Sequence, residues 1–316
     1  MASVDSQLSE TSGGPVPGLE DEQPSGGSSN GGAKSRRTRA RSRMWRLITV
    51  GALLIMVEAL VFAAWGTTNP GAVGGKAARL SPSVELAPKG DLPGWRQIFV
   101  DEFDGTSLSQ NWGVYDGVPG GDPNSRWSPS HVTVKNSQLI LQAYQENNKW
   151  ITGGVSNHVT AQTYGKWEVR FRADRSDEIP LAFLLWPQGG DWPPEIDFYE
   201  DGGGARSDAS GFVHYKSGGP NGRSDEHRSL VADFTQWHTV GVEWTAGSVV
   251  FTLDGSAWAE VTGSFVPAQP MWLAMQAQAG GCQRRVAIGQ PLCPIAGIPA
   301  EANVYIDWVS VWAPAG

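Results

Sequence analysis

The sequence predicts an all-β domain over residues 93–316, a two-sheet antiparallel β-sandwich. Three observations carry that prediction. Short runs alternate with period two: Trp167, Val169 and Phe171 alternate with Glu168 and Arg170, and Val240, Val242 and Trp244 repeat the pattern. Gly, Pro, Asn and Asp punctuate the gaps between runs. No stretch is long and amphipathic enough at helical spacing to compete, so the spacing implies about 12 to 15 strands.

Ahead of that domain the chain divides by composition. Residues 1–33 contain no Lys or Arg, are rich in Gly, Ser and Pro, and cannot build a core, so disorder is expected there. Residues 34–46 add Lys34, Arg36, Arg37, Arg39, Arg41, Arg43 and Arg46 with no acid, completing a cytoplasmic tail over 1–46. Residues 47–65 are apolar apart from Thr49 and Glu58, which is long enough for one transmembrane helix. The basic flank holds the tail in the cytoplasm and sends the C-terminal bulk outside. The expected location is therefore the cell membrane, single-pass, with the domain extracellular. A signal peptide cleaved near Val61-Phe62-Ala63, giving a secreted protein, is the alternative. Residues 66–92, with few large apolar side chains, read as a Gly/Pro/Ala/Ser linker.

The net charge is −8. That balance argues against nucleic acid as a partner and against polyanionic glycans, which it would repel. Cys282 and Cys293 are the only cysteines, both on the exported side, so a disulfide closing that loop is expected. A monomer is expected, although no residue pattern speaks to it.

The chemistry concentrates in Pro194-Glu195-Ile196-Asp197-Phe198-Tyr199-Glu200. Phe and Tyr favour strands, and in a strand Glu195 and Asp197 share one face. Glu200, five residues on, points the other way unless one inserted residue, a β-bulge, turns it back. The two Glu Cα atoms then stand roughly 13 Å apart at strand rise. Inward-leaning side chains bring their carboxyls toward the separation of about 5 Å that retaining glycosidases use. Unrelated charges on an edge strand are the bland alternative. Trp186, Trp192 and the Gly202-Gly203-Gly204 turn flank the acids. Flat aromatic rings beside carboxylates are what a polysaccharide cleft requires.

The Glu-Ile-Asp-Phe-Tyr-Glu run resembles the active-site motif of glycoside hydrolase family 16 in its longer, bulge-containing form. Other segments resemble that family in its order: Phe99-Val100-Asp101-Glu102-Phe103, Val132-Thr133-Val134 with Gln138-Leu139-Ile140-Leu141, Tyr164-Gly165-Lys166-Trp167-Glu168, Trp237-His238-Thr239 with Phe251-Thr252-Leu253-Asp254-Gly255, and Val304-Tyr305-Ile306-Asp307-Trp308. The resemblance implies a concanavalin-A-like jelly roll with a concave substrate cleft. It implies Glu195 as nucleophile, Glu200 as general acid and then base, and Asp197 as the residue holding Glu195. Two positions depart from the usual pattern. Pro194 stands where Gly is usual, and Leu184 where many members have Trp, with Trp186 two residues on along the same face.

Trp186 and Trp192 are stacking candidates, because 15 tryptophans exceed what one core needs. His214 is read either as a contact to substrate or Glu200, or as a structural histidine. Gln276 and Gln278 share a strand face with Trp272, which places them toward the cleft. Tyr199 is read as core or bulge support. No cofactor is needed for catalysis. Family members often carry a structural calcium, and the matching positions here are Glu102 and Asp307. The leading function is an endo-acting retaining β-glycosidase on a polysaccharide, with β-1,3-glucan, mixed-linkage glucan, galactan and an envelope polymer all open. A transglycosylase using the same acids and a lectin-like binding module are the alternatives.

Overall fold

The computed structural model describes residues 85–119, 125–218, 222–287 and 289–316. The expected tail, membrane segment and most of the linker lie outside the described residues. No helix among the described residues is long and apolar enough to cross a membrane.

Sixteen strands, numbered in chain order, form two antiparallel sheets among the described residues. The nine-stranded sheet runs β14 (Ser256–Thr262), β13 (Ser248–Leu253), β12 (His238–Thr245), β7 (Gly165–Ala173), β16 (Glu301–Pro314), β4 (Leu139–Glu146), β3 (Val132–Val134). β1 (Trp95–Asp101) pairs with β16, and β5 (Lys149–Thr152) with β4. The seven-stranded sheet runs β11 (Arg223–Val231), β10 (Asp208–Lys216), β9 (Glu195–Asp201), β8 (Leu181–Pro187), β15 (Met271–Ala277), β6 (Gly154–Gln162), β2 (Gly113–Val114).

The period-two runs explain the sandwich. Trp167, Val169 and Phe171 of β7 and Val240, Val242 and Trp244 of β12 point inward, against Leu181, Phe183 and Leu185 of β8 and Leu273 and Met275 of β15. All are 1% exposed or less. Burying each such side chain stabilises the fold by about 1.5–3 kcal/mol before entropy is counted. Their polar neighbours are left on the two outer faces.

Two features were not anticipated from sequence. The last described residues of the expected linker are held by the domain, not free. Trp308 Nε1 donates to the Glu85 carbonyl (3.2 Å), Ser310 Oγ to Pro88 (3.4 Å) and Trp312 Nε1 to Gly90 (3.1 Å). Residues 85–90 thus cover the indoles on the outer side of β16, and Arg170 adds an ion pair to Glu85 at 2.8 Å. The second is a short helix, α1 (Gly281–Ala287), inside the Cys282–Cys293 loop. The expected disulfide is present, with Cα atoms 5.7 Å apart. Glu178 accepts the Gly280 and Cys282 amides at the start of α1 (2.9 and 3.3 Å). Buried Asp177 accepts those of Ile295, Ala296 and Gly297 beyond it.

Candidate active site

Strand register sorts the outer face of the seven-stranded sheet into rungs. One rung reads Gly154, Gln276, Ala182, Glu200, Ser210, Ser229 across β6, β15, β8, β9, β10 and β11. The next reads Ser156, Ala274, Leu184, Asp197, Phe212, His227. A third carries Trp272 opposite Trp186, and Glu195 opposite His214 and then Asp225. Of the small residues in the middle strands, Ala182 is half-buried, Ala274 is buried and Gly154 lies against the Tyr115 ring.

The first two rungs share β9 only because that strand bulges. From Asp197 to Glu200 is three steps on β9. The same interval is two steps on β8 (Leu184 to Ala182) and two on β10 (Phe212 to Ser210). Phe198 is the extra residue. It and Tyr199 both face the core, each 1% exposed. The strand then resumes alternation with Glu200 on the acid side. The bulge posed by the sequence is therefore present, and Glu195, Asp197 and Glu200 lie on one face.

The acids are linked to their neighbours. Trp192 Nε1 donates to Glu195 Oε2. His214 Nε2 lies 3.1 Å from Asp197 Oδ2, so this histidine meets Asp197. Glu195, Asp197 and His214 each offer a ligand atom within 4.8 Å of the others. Burial pushes Glu195 well above the ordinary carboxylate range, and the Asp197 charge pushes it further. His214 and the Trp192 N–H pull it back toward the ionised form.

Of the other expected residues, Trp186 and Gln276 lie on the acid-bearing face, half-buried. Gln278 sits just past β15, where Arg284 contacts its side-chain oxygen at 3.4 Å. Glu102 and Asp307 are not brought into a group of three metal-binding side chains among the described residues. Lys89 meets Glu102 at 2.5 Å, and Arg170 approaches Asp307 at 3.7 Å. Each of the two carboxylates thus faces a cation.

Three residues on this side, His158, Tyr115 and Trp127, went unread in the sequence. Trp272 packs against His158, ring centroids 4.0 Å apart and planes tilted by 31°. Tyr115 packs on Trp127 at 4.8 Å and bonds backbone to backbone with Gly154. A Cβ at Gly154 would stand 2.6 Å from the Tyr115 ring, so glycine is required there. Burial pushes the Tyr115 hydroxyl up, a hydrogen bond with Ser156 opposes this, and the Glu195 charge adds to it. Tyr115 thus belongs to the surroundings of Glu195, although 80 residues separate them. Only its strand-side packing reveals this.

A groove of about 700 Å³ lies elsewhere, on the outer face of the nine-stranded sheet between Leu108, Thr133, Gln142, Asn303 and Tyr305. Its lining holds a single carboxylate, Glu301, and so cannot supply a paired acid and nucleophile.

Residues 120–309 match the family model for Glycosyl hydrolases family 16, more than half of the chain. The chain belongs to that family. Within it, the chain is 31% identical over 190 residues to the endo-1,3-1,4-beta-glycanase ExsH of Rhizobium meliloti (strain 1021), covering 58% of this chain and 37% of the relative. It is 28% identical over 185 residues to EglC of the same organism, another endo-1,3-1,4-beta-glycanase, with the same coverages. The match thus spans little more than a third of the length of these relatives. Among solved structures, the catalytic domain of an endo-1,3-beta-glucanase (laminarinase) from Thermotoga petrophila RKU-1 superposes with a TM-score of 0.58 at 20% identity. That match covers 70% of this chain and 99% of that domain, a likeness of fold.

Proposed function

We propose that this family-16 chain is an endo-acting retaining glycoside hydrolase that cleaves β-linked glucan, with Glu195 as nucleophile and Glu200 as acid/base. The observation that carries this reading is the Phe198 bulge, which sets the two glutamates on one face with Asp197 between them. In the first step the Glu195 carboxylate bonds to the anomeric carbon. The glycosidic bond breaks, and the leaving sugar oxygen takes the proton of Glu200. In the second step water gives its proton to Glu200 and its oxygen to the anomeric carbon, releasing Glu195 with net retention.

Each neighbour has work in this scheme. Glu195 must be ionised to attack, and its burial opposes that. His214 and the Trp192 N–H favour the ionised form, against the Asp197 charge. Trp186 and the Trp272–His158 pair provide flat surfaces for sugar rings on the same face. Gln276 offers an amide for hydroxyls. The endo-1,3-1,4-beta-glycanase relatives support β-1,3- or mixed β-1,3-1,4-glucan as the first polymers to test. The basic run and apolar segment of residues 34–65, with the disulfide, support an outward-facing, membrane-anchored domain.

The test is release of reducing ends from a panel of neutral β-glucans and galactans by the full chain, with Glu195→Gln as control. Cleavage of one polymer, lost in the variant, is the expected result. A folded wild type that cleaves none of them, or a variant that cleaves as well as wild type, would overturn the assignment.

A further inference from the structure

The edge of the acid-bearing face carries a cation that the reaction scheme does not use. The Arg223 guanidinium carbon lies 4.4 Å from the Trp192 ring centroid, and the Trp192 indole is itself bonded to Glu195. One aromatic ring therefore separates this cation from the proposed nucleophile. Arg223 stands opposite Lys216 at the open end of the β10–β11 ladder. That rung is next but one beyond His214–Asp225, so all four side chains share a face. Among the described residues no carboxylate pairs with Arg223 or Lys216, whereas Arg170, Arg206 and Arg228 each meet an acid.

The geometry points to a site for a carboxylate-bearing sugar unit of the glycan, held beside Trp192 by the Arg223 fork. This deepens the proposed glucan-cleaving function and rests on it. Stacking uses only the flat face of a guanidinium and leaves its N–H edge free. A stacked arginine is therefore an ordered fork matched to the two oxygens of a carboxylate. Lys216 adds a second positive charge on the same rung. Asp225 lies two residues along the same face and repels an anion that overshoots, which restricts where the substituent sits. The overall acidity that argues against polyanions acts at long range and is screened by salt within roughly 10 Å. A contact at hydrogen-bond distance from Arg223 is governed by the local cations. The sequence argument against polyanionic glycans accordingly leaves room for one that carries isolated acidic groups.

The experiment is calorimetric binding to the full chain carrying Glu195→Gln, so that ligand is not consumed. The probes are mixed-linkage β-glucan oligosaccharides, either unmodified or oxidised at C6 so that some units bear a carboxylate. In roughly 0.1 M salt, which screens the overall acidity, the oxidised ligand is expected to bind about tenfold tighter, the scale of a hydrogen bond to a charged group. That preference should disappear when Arg223→Gln is added and shrink with Arg223→Lys, which keeps the charge but loses the fork. Equal or weaker binding of the oxidised ligand overturns the inference and leaves the hydrolase reading standing. A preference that survives Arg223→Gln does the same. Absence of binding by both ligands overturns the inference together with the glucan reading beneath it.

Discussion

His214 Nε2 stands 3.1 Å from Asp197 Oδ2 across the β9–β10 ladder. The contact ties the histidine to the residue between the two glutamates. It also puts an imidazole close enough to lower the pKa of Glu195 against the opposing effects of burial and Asp197.

That relationship fixes the sign of a pH effect. Removing a group that lowers the Glu195 pKa leaves it higher, so a larger share of Glu195 is protonated at any acidic pH. In His214→Gln the acid limb of the kcat/KM profile should move to higher pH. Trp192→Phe, which loses the N–H donated to Glu195, should shift it the same way. Profiles measured on the polymer that wild type cleaves check this. An unmoved limb in both variants would separate the limb from Glu195.

The bulge makes a prediction by counting. Deleting Phe198 leaves Glu195, Asp197 and Glu200 at alternate positions of a regular strand, still on one face. Deleting Ile196 instead throws Glu195 and Asp197 onto opposite faces. The first deletion should retain measurable hydrolysis while lowering stability by up to about 3–5 kcal/mol, the range for losing a buried Phe. The second should abolish activity. Thermal melts and reducing-end assays on both deletions distinguish the outcomes.

The loop around α1 is held twice, by the disulfide and by Asp177. A short closed loop restricts the unfolded chain, and Cys282→Ser with Cys293→Ser should cost about 3 kcal/mol. Asp177→Ala strands three backbone amides at once, each costing about 1–3 kcal/mol if unsatisfied. Its effect on the urea midpoint should therefore equal or exceed that of the double cysteine variant.

Lys89 and Arg170 occupy the carboxylates that the family resemblance offers to calcium. Chelation with EDTA should leave the melting temperature unchanged. A fall on chelation, restored by added calcium, would mean that these ion pairs give way to the metal.

Much of the site was legible in the sequence because it is local. Glu195, Asp197 and Glu200 lie within one strand, so residue types and a parity count suffice to pose the bulge. Trp186 and Gln276 follow from period-two alternation along their own strands. Tyr115, Trp127 and His158 were not legible, because they reach the face from the loop after β2, from an isolated bridge and from β6. β2 pairs with β6, and β6 pairs in turn with β15, more than 100 residues further on. The cover over Trp308 and Trp312 was unreadable for another reason. Its acceptors are backbone carbonyls of residues 85 and 90, which leave no side-chain signal in a Gly- and Pro-rich stretch. Seven-residue α1 is too short for helical periodicity to declare itself. Arg223 is an ordinary charge on an edge strand until Trp192 is placed beneath it.

The central claim is that Glu195 is the nucleophile. Its most direct test is mass spectrometry of the full chain after reaction with a 2-deoxy-2-fluoro β-glucosyl fluoride extended by one or more β-linked glucose units, which slows release of the glycosyl-enzyme. The account predicts one added glycosyl mass on the peptide containing Glu195, absent in Glu195→Gln. An adduct on a different residue, or steady turnover of the polymer by Glu195→Gln, would contradict it.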